Sequence, residues 1–471
     1  MTAATCPFHF GLPVARRGPI IRDMSRTGWV FDEPVAEVVP RDRRPVLRGL
    51  GLVLLLFAST RLAVWVATYS GAVMFFRVRH AIEQVAGPRQ ADLLARVADP
   101  QRPEHATYRD YLADFGPLAK FDGQHYKSIV VDGYHYVPAS SRDHFSARAQ
   151  NIAYFPLYPL VSRPPARLMS PQVALVLVAH ICALVAVVLF YLWVRRRVDE
   201  PAALFGVAAI LCWPAACYYS FGYAESLTLL LTVATLRALD RRAFIWAAVL
   251  CGLATATRPT AAALVPVYLL AFWCLHPASR GRRLALLAPL TFVAALGGIV
   301  YAGYLAYRFD SPLVYVTNFR AGWTPDEARS DWLSFVTLTP VWEQFKYFGR
   351  ALAAPPISLT YLAVPFTWNV PLSLFVVVLS LAAMRRVPPT FRPLLWLGPL
   401  IFAQAYVASG GADFGVAPLA RYTALAVPTY VVLAAWCTRA WRPAARHGFL
   451  AFLLVLQLAW AFRVGLGEWS G

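Results

Sequence analysis

The sequence predicts an all-α, polytopic membrane protein whose helices form a bundle in the bilayer. Of its 471 residues, 58% are hydrophobic and only 15% are charged, whereas soluble domains carry about a quarter charged residues. Long apolar runs also recur along nearly the whole chain, each sufficient for a helix of about 20 residues to cross the hydrocarbon core. These runs are too continuous for the alternating strands of a β-barrel, which leaves helices as the spanning elements.

Eleven membrane spans follow from these runs. Residues 1–47 contain no apolar stretch and are predicted to form a cytoplasmic N-terminal segment, while residues 48–471 form one transmembrane domain. The first apolar run is too long for the core of a cleavable signal peptide. The predicted spans cover residues 49–75, 172–194, 201–219, 222–238, 243–257, 260–276, 284–306, 357–384, 393–409, 422–439 and 448–466.

The distribution of basic residues predicts the orientation of these spans. Short loops after the second, fourth, sixth, eighth and tenth spans are rich in arginine, and the short loops between them contain almost none. Because cytoplasmic loops carry an excess of Lys and Arg, the N-terminus is placed inside and the C-terminus outside. The net charge of +19 lies largely in these loops and does not indicate nucleic-acid binding. Two long segments, about 76–171 and 307–356, are then extracytoplasmic, and loops of this length commonly carry function.

The first outer loop contains the densest cluster of polar and aromatic residues. It includes the segment 121–126, with sequence FDGQHY, and later the segment 154–159, with sequence YFPLYP. Asp122 precedes a short stretch with helical apolar spacing, so two interpretations stand side by side. Its carboxylate either caps the helix by accepting bonds from free backbone N–H groups, or it acts as a general base near the membrane surface. The segment 154–159 is explained equally well as an interfacial aromatic anchor.

Several ionisable residues lie within or at the ends of apolar spans, where charge is expensive and commonly marks function. Function is favoured for Arg61 and Glu225, although mutual pairing of these two residues as a structural contact is an alternative. For Arg258 and Arg421, at the outer ends of spans, the alternative is that the side chains extend to the interface. His180 favours neither interpretation. Six of the seven cysteines lie in apolar runs, so neither a disulfide framework nor a zinc spacing is present.

The order of short motifs resembles the PIG-V family, which holds the second mannosyltransferase of glycosylphosphatidylinositol synthesis and its bacterial relatives. The resemblance rests on the segments 121–126, 133–134 and 155–159 and continues through YAESL at 223–227, ATATRP at 254–259 and RY at 421–422. It therefore runs in order over most of residues 50–440. The family pattern normally has Trp before the aspartate, and here Phe121 occupies that position.

This resemblance implies a GT-C fold, a bundle of membrane helices whose active site faces the lumen or the cell exterior. The family transfers mannose from a polyprenyl-phosphate carrier. Asp122 matches the catalytic carboxylate at the tip of the first outer loop, and Glu225 and Arg258 match motif positions without individual roles. The expected substrates are a polyprenyl-phosphate-mannose donor and a lipid or glycan acceptor, with no further cofactor.

The residues by themselves lead to compatible chemistry. Nucleotide sugars are cytoplasmic, so an extracytoplasmic enzyme needs a donor delivered by the membrane, and a sugar on polyprenyl phosphate already has a good leaving group. One base then suffices, and Asp122 would remove the proton of the acceptor hydroxyl in a single inverting step. The sequence contains neither a Gly-rich phosphate loop nor an Asp-x-Asp motif, so no metal is expected. The candidates for binding the phosphate are, in falling order, Arg421, Arg258, Arg320 and Arg61, and those for the sugar hydroxyls are His125, Tyr126 and Glu225.

Three other functions remain open at this stage. A transporter or flippase for a lipid-linked intermediate explains the intramembrane charges equally well but gives the large first outer loop no special role. A scaffold subunit of a glycan-assembly complex is a further possibility. Among enzymes, the transferred sugar is open between mannose, arabinose, glucose and others, because ring specificity depends on the shape of the pocket.

The predicted orientation is testable by accessibility labelling in a chain whose seven cysteines are replaced by alanine. We expect a cysteine introduced by Asp132→Cys to react with a membrane-impermeant thiol reagent in intact cells, because the first outer loop is extracytoplasmic. A cysteine introduced by Arg242→Cys should react only after the membrane is permeabilised. The reverse pattern would place Asp122 on the side of the nucleotide sugars and refute the proposed chemistry.

Overall fold

The structure, a computed structural model, describes residues 44–89, 108–137, 144–324, 329–353, 364–411 and 418–468. Every regular element within these ranges is a helix, so the predicted all-α class is confirmed. Most of the predicted cytoplasmic segment, residues 1–47, lies outside the described residues, and its boundary with the transmembrane domain stays a prediction.

The first helix is much longer than predicted. Helix α1 (Arg44–Ala86) continues eleven residues past the predicted end of the first span, into the predicted outer loop. The rest of that loop contains short helices and a 3-10 turn, Gly116–Leu118. The short helices are α2 (Tyr108–Ala113), α3 (Asp122–Val131), α4 (His144–Ala149) and α5 (Leu157–Ser162).

The central part of the bundle begins with two helices whose starts are fixed by local capping. The Ser170 hydroxyl accepts a bond from the backbone N–H of Val173 in the first, and the Asp199 carboxylate accepts one from Ala202 in the second. Such caps satisfy backbone donors that a helix start leaves free. These helices are α6 (Pro171–Val194) and α7 (Glu200–Cys212), followed by α8 (Glu225–Asp240), α9 (Phe244–Thr255) and α10 (Leu264–Leu275).

The second long outer segment packs against the first. On α12 (Val314–Trp323), Asn318 donates from Nδ2 to the carbonyl of Ala147, and the Gly322 carbonyl accepts a 2.5 Å bond from Nε of Arg148. These contacts join α12 to α4, so the two predicted outer loops pack against each other. The neighbouring helices are α11 (Arg280–Phe309), α13 (Trp332–Val336) and α14 (Thr339–Ala353).

The C-terminal part of the chain completes the bundle. Helix α20 (Pro443–Gly465) packs along α1, and α19 (Val427–Ala440) packs along α7, so the last helices close the bundle against the first ones. The helices of this part are α15 (Pro365–Ala383), α16 (Arg392–Leu395), α17 (Leu397–Ser409), α18 (Leu419–Thr423), α19 (Val427–Ala440) and α20 (Pro443–Gly465).

The chain is a multi-pass membrane protein, but the number of crossings is not settled by helix length. Each of the eleven predicted spans contains a helix. Among the described residues, five helices are long and apolar enough to cross a membrane: α1, α6, α11, α15 and α20. A sixth span results if α7 and the 3-10 helix Pro214–Ser220 count as one, bent by 77°. Eleven crossings, and the sides on which the termini lie, therefore stay predictions.

A close crossing of α9 and α11 fixes the helix that leads into Arg258. A Cβ atom added to Gly297 would lie 2.1 Å from the carbonyl oxygen of Gly252, and one added to Gly252 would lie 2.3 Å from the carbonyl of Val293. Only glycine permits this backbone approach. Small residues serve the same purpose at many helix contacts in membranes, where packing rather than water exclusion drives association.

The substitution Gly297→Val tests this crossing. The new side chain forces α9 and α11 apart, and we expect it to lower the free energy of unfolding by about 1–3 kcal/mol, the usual cost of overpacking. The measurement is the thermal unfolding midpoint of the purified protein in detergent. Gly303→Val is the matched control on the same helix, because no atom lies within 4 Å of its added Cβ. Equal midpoints for the two variants would contradict the close crossing.

Candidate active site

Asp122 is the first residue of α3 and does not cap it. The N-cap position is occupied by Phe121, and no side-chain cap bond is present there. The Asp122 carboxylate instead faces Arg421, to which its Oδ2 is ion-paired, and Tyr154, whose hydroxyl donates to Oδ1 over 3.3 Å. The interpretation of Asp122 as a helix cap is therefore wrong, because its oxygens bind other side chains.

The backbone just before Asp122 is strained. Phe121 has φ 53° and ψ −115°, a sparsely populated region that costs a non-glycine residue about 1–3 kcal/mol. The segment is held on both sides: the Tyr223 hydroxyl donates to the carbonyl of Lys120 over 2.9 Å, and Lys120 Nζ donates to the carbonyl of Gly465 over 3.2 Å. These contacts fix the turn that presents Asp122.

Four charged side chains form a continuous row of alternating sign. Arg421 pairs with Asp122 through Nη2 and with Glu225 through Nε. The same Oε1 atom of Glu225 also pairs with Nη1 of Arg258, at 2.5 Å. Glu225 is 1% exposed and Arg421 5%, so each charge depends on its neighbours for compensation. We call Asp122, Arg421, Glu225 and Arg258 the charge row.

Tyrosine rings surround the two arginines of the charge row. The Arg421 guanidinium lies 4.6 Å from the ring centre of Tyr218 and 4.9 Å from that of Tyr223, and Arg258 lies 5.1 Å from that of Tyr422. Aromatic faces attract cations, most strongly where water is excluded. The rings thus fix the planes of both guanidinium groups and add to the compensation that the two carboxylates provide.

His125 packs against Tyr154, which contacts Asp122. Its ring stacks on Tyr154 with centres 4.4 Å apart and planes 13° apart. Burial lowers the pKa of His125 to about 4, so the ring is neutral at neutral pH. Burial, followed by the charge of Asp122, raises the pKa of Tyr154 well above its usual value, so this phenol stays a hydrogen-bond donor to Asp122.

A cavity of about 360 Å³ opens beside the charge row. It brings together Asp122, Tyr126, Arg258, Arg320 and Arg421, five of the eight predicted site residues, although they come from distant parts of the sequence. Both outer segments contribute to its walls. The other lining residues are Ala153, Tyr154, Phe155, Pro259, Thr260, Tyr315, Val316, Phe319, Trp323, Gln404, Ala405, Val407, Ala408, Ser409, Pro418 and Tyr422.

Three predicted site residues do not line the cavity. His125 and Glu225 lie behind its wall, the first against Tyr154 and the second between the two arginines. Arg61 binds the carbonyls of Leu211 and Ala216, at 2.9 and 2.5 Å, where α7 breaks and its last carbonyls lack helical partners. The alternative that Glu225 pairs with Arg61 is wrong, since Glu225 pairs with Arg258 and Arg421.

Sequence reasoning did not single out several residues of the site. Tyr154 belongs to the segment 154–159, whose composition also suits an interfacial anchor, yet its hydroxyl donates to Asp122. Thr260 and Gln404 are neutral residues in apolar runs, and neither has a spacing that indicates a site.

His180 bonds to Trp65 over 3.0 Å and to the Val176 carbonyl over 2.8 Å, which is a structural role. The described residues contain no group of three or more His, Cys, Asp or Glu suited to a metal.

Comparison with models of protein families matches residues 156–306 to the family described as dolichyl-phosphate-mannose-protein mannosyltransferase. The match spans less than half of the chain and includes Glu225 and Arg258, but neither Asp122 nor Arg421. No curated protein sequence matches the chain. The family match supports a membrane glycosyltransferase. The resemblance to the PIG-V family stays a prediction.

The chain is also similar to solved structures at low identity. ArnT from Cupriavidus metallidurans, bound to undecaprenyl phosphate, is 15% identical over 74% of this chain and 63% of its own, with a TM-score of 0.38. The Archaeoglobus fulgidus oligosaccharyltransferase tethered to an acceptor peptide is 14% identical over 68% of this chain and 47% of its own, with a TM-score of 0.36. The chain thus spans less than two thirds of the length of either.

Glu225→Gln tests the charge row. The variant leaves two buried arginines with one carboxylate, and we expect a loss of about 3–5 kcal/mol in the free energy of unfolding, as for other broken buried pairs. Adding Arg258→Met removes the surplus charge, so the double variant should be more stable than Glu225→Gln alone. Thermal unfolding in detergent measures both of these variants and Arg258→Met alone. If the double variant loses at least as much free energy of unfolding as the two single variants together, this coupling is contradicted.

Proposed function

We propose that the protein is a membrane glycosyltransferase that moves mannose from polyprenyl-phosphate-mannose to an extracytoplasmic lipid or glycan acceptor. The observation that carries the proposal is the carboxylate of Asp122, held by Arg421 and Tyr154 in the wall of a cavity that also contains Arg320. The description of the family that matches residues 156–306 supports mannose as the sugar and a polyprenyl-type phosphate as its carrier.

In this proposal Asp122 acts as the general base. Two contacts occupy its oxygens, yet an ionised carboxylate has about four lone-pair sites, so capacity remains toward the cavity. In the proposed step the acceptor hydroxyl oxygen attacks the anomeric carbon while its proton passes to Asp122. The bond from the anomeric carbon to the phosphate oxygen breaks, and polyprenyl phosphate departs with the electron pair. A β-linked donor would give an α-glycoside by inversion.

Arg320 becomes the first candidate for the donor phosphate. Arg421 and Arg258 are bound by carboxylates of the charge row, whereas Arg320 makes no ion pair among the residues that the structure describes. A phosphate at Arg320 therefore does not compete with a carboxylate. The positive charges of Arg258, Arg320 and Arg421 exceed the negative charges of Asp122 and Glu225 by one. That charge matches the single negative charge of a phosphodiester donor and stabilises the leaving phosphate.

Glu225 and His125 take supporting parts in this proposal instead of contacting the sugar. Glu225 orients Arg421 and thereby the Asp122 carboxylate, and the neutral ring of His125 backs Tyr154. Tyr126, which lines the cavity, remains a candidate for a sugar contact. The extracytoplasmic position of the reaction rests on the predicted orientation of the spans.

Asp122→Asn tests the proposed base. The amide cannot accept the acceptor proton, so we expect transfer from labelled polyprenyl-phosphomannose to fall at least 100-fold, the contribution typical of a general base. The variant should still insert into the membrane. Asp132→Asn is the matched control in the same loop, because Asp132 lies outside the cavity lining. Transfer is measured as labelled product in membranes with and without the protein.

Two outcomes would overturn the assignment. Full transfer by the Asp122→Asn variant would refute the role of this carboxylate. Movement of the intact lipid-linked sugar across the membrane, with no labelled product from any acceptor, would favour the flippase instead.

A further inference from the structure

Two residues that line the cavity each carry a buried oxygen atom with no hydrogen-bond partner among the described residues. These atoms are Oγ1 of Thr260 and Oε1 of Gln404. Thr260 itself is 8% exposed. Buried polar atoms are almost always paired, because an unpaired one gives up its hydrogen bonds to water without replacement, so each exception requires an explanation.

The two residues belong to neighbouring segments, which a hydrogen bond joins. Nε2 of Gln404 on α17 donates to the carbonyl of Pro259 over 2.6 Å, and Pro259 directly precedes Thr260. This contact also fixes how the amide is turned, since a carbonyl oxygen accepts a bond only from the NH2 group. The free atom of Gln404 is therefore its oxygen, which can only accept.

The chemistry of this pair selects its ligand. An amide oxygen requires a donor and repels an anion, so a phosphate does not suit it. A threonine hydroxyl both donates and accepts. A hydroxyl group that donates to Gln404 and accepts from Thr260 satisfies both atoms, as does a pair of neighbouring hydroxyls on one sugar ring.

We propose that Thr260 and Gln404 form a carbohydrate-binding subsite, which recognises a hydroxyl group of a sugar in the cavity. This inference rests on the proposed function and names the residues that determine its specificity. Arg320 on α12 then binds the phosphate, while Thr260 and Gln404, from different elements, bind the sugar. A site built around a hydroxyl discriminates strongly against a sugar that lacks it, because the buried partners are left unpaired.

The hydroxyl belongs either to the donor sugar or to the acceptor sugar, and the test separates the two. Affinities are measured for short-chain polyprenyl-phosphomannose, for the same polyprenyl phosphate without sugar, and for an alkyl α-mannoside as acceptor. Thr260→Val removes the hydroxyl without changing the shape of the side chain. We expect it to weaken one of the two mannose-containing probes about tenfold, the value of one hydrogen bond, and to leave polyprenyl phosphate unchanged. Thr260→Ser should restore the affinity.

Thermal unfolding distinguishes this role from a structural one. Because the Thr260 hydroxyl makes no hydrogen bond within the described residues, Thr260→Val should not lower the unfolding midpoint. Thr257→Val is the control: its hydroxyl bonds to the Ala254 carbonyl over 2.6 Å and to Thr228 over 2.8 Å, outside the cavity lining. The Thr257→Val variant should lower the midpoint. It should not change the difference in affinity between polyprenyl-phosphomannose and polyprenyl phosphate without sugar.

The outcomes separate the subsite from the proposed function. If Thr260→Val weakens neither mannose-containing probe, or weakens polyprenyl phosphate equally, the subsite is refuted while the glycosyltransferase stands. If the unchanged protein binds none of the three probes, the proposed function fails and the subsite fails with it.

Discussion

Arg421 lies between two carboxylates, and its guanidinium bonds Asp122 on one side and Glu225 on the other. Glu225 and Arg421 are buried, so neither charge is tolerated without its partners. Arg258 supplies the second positive charge that Glu225 requires. The position of the carboxylate in the cavity therefore depends on the whole charge row, and the row depends on four separate segments being packed together.

The charge row depends on two tightly constrained features of the helix packing. Helix α9 leads to Arg258 and approaches α11 so closely that only glycine fits at Gly252 and Gly297. At the other end of the row, Phe121 adopts a strained conformation that the contacts of Lys120 hold in place. Strain of this kind persists only where the surroundings over-determine it, and it is common at functional sites.

The cavity beside the row combines two kinds of chemistry. On one side, fixed charges compensate one another and leave one net positive charge for an anion. On the other, Thr260 and Gln404 present neutral oxygens that an anion would not satisfy. A ligand with both a phosphate and hydroxyl groups fits such a division, and a lipid-linked sugar has both. Tyr154, between α4 and α5 of the first outer segment, and Arg320, on α12 of the second, line the same cavity.

The sequence alone determined the helical membrane class, because apolar runs of about 20 residues have few other uses. It also identified Glu225, Arg258 and Arg421, since charge within or at the ends of apolar runs is costly and stands out. Asp122 was identified because it lies in the cluster of polar and aromatic residues of the first outer loop. Only the tertiary structure decided that these four residues form one row and that Arg61 belongs to the break after α7. It also decided that Thr260 and Gln404 line the same cavity. The reason is physical: pairing across the bundle depends on helix packing between segments far apart in the chain, and neutral side chains leave no periodic signal.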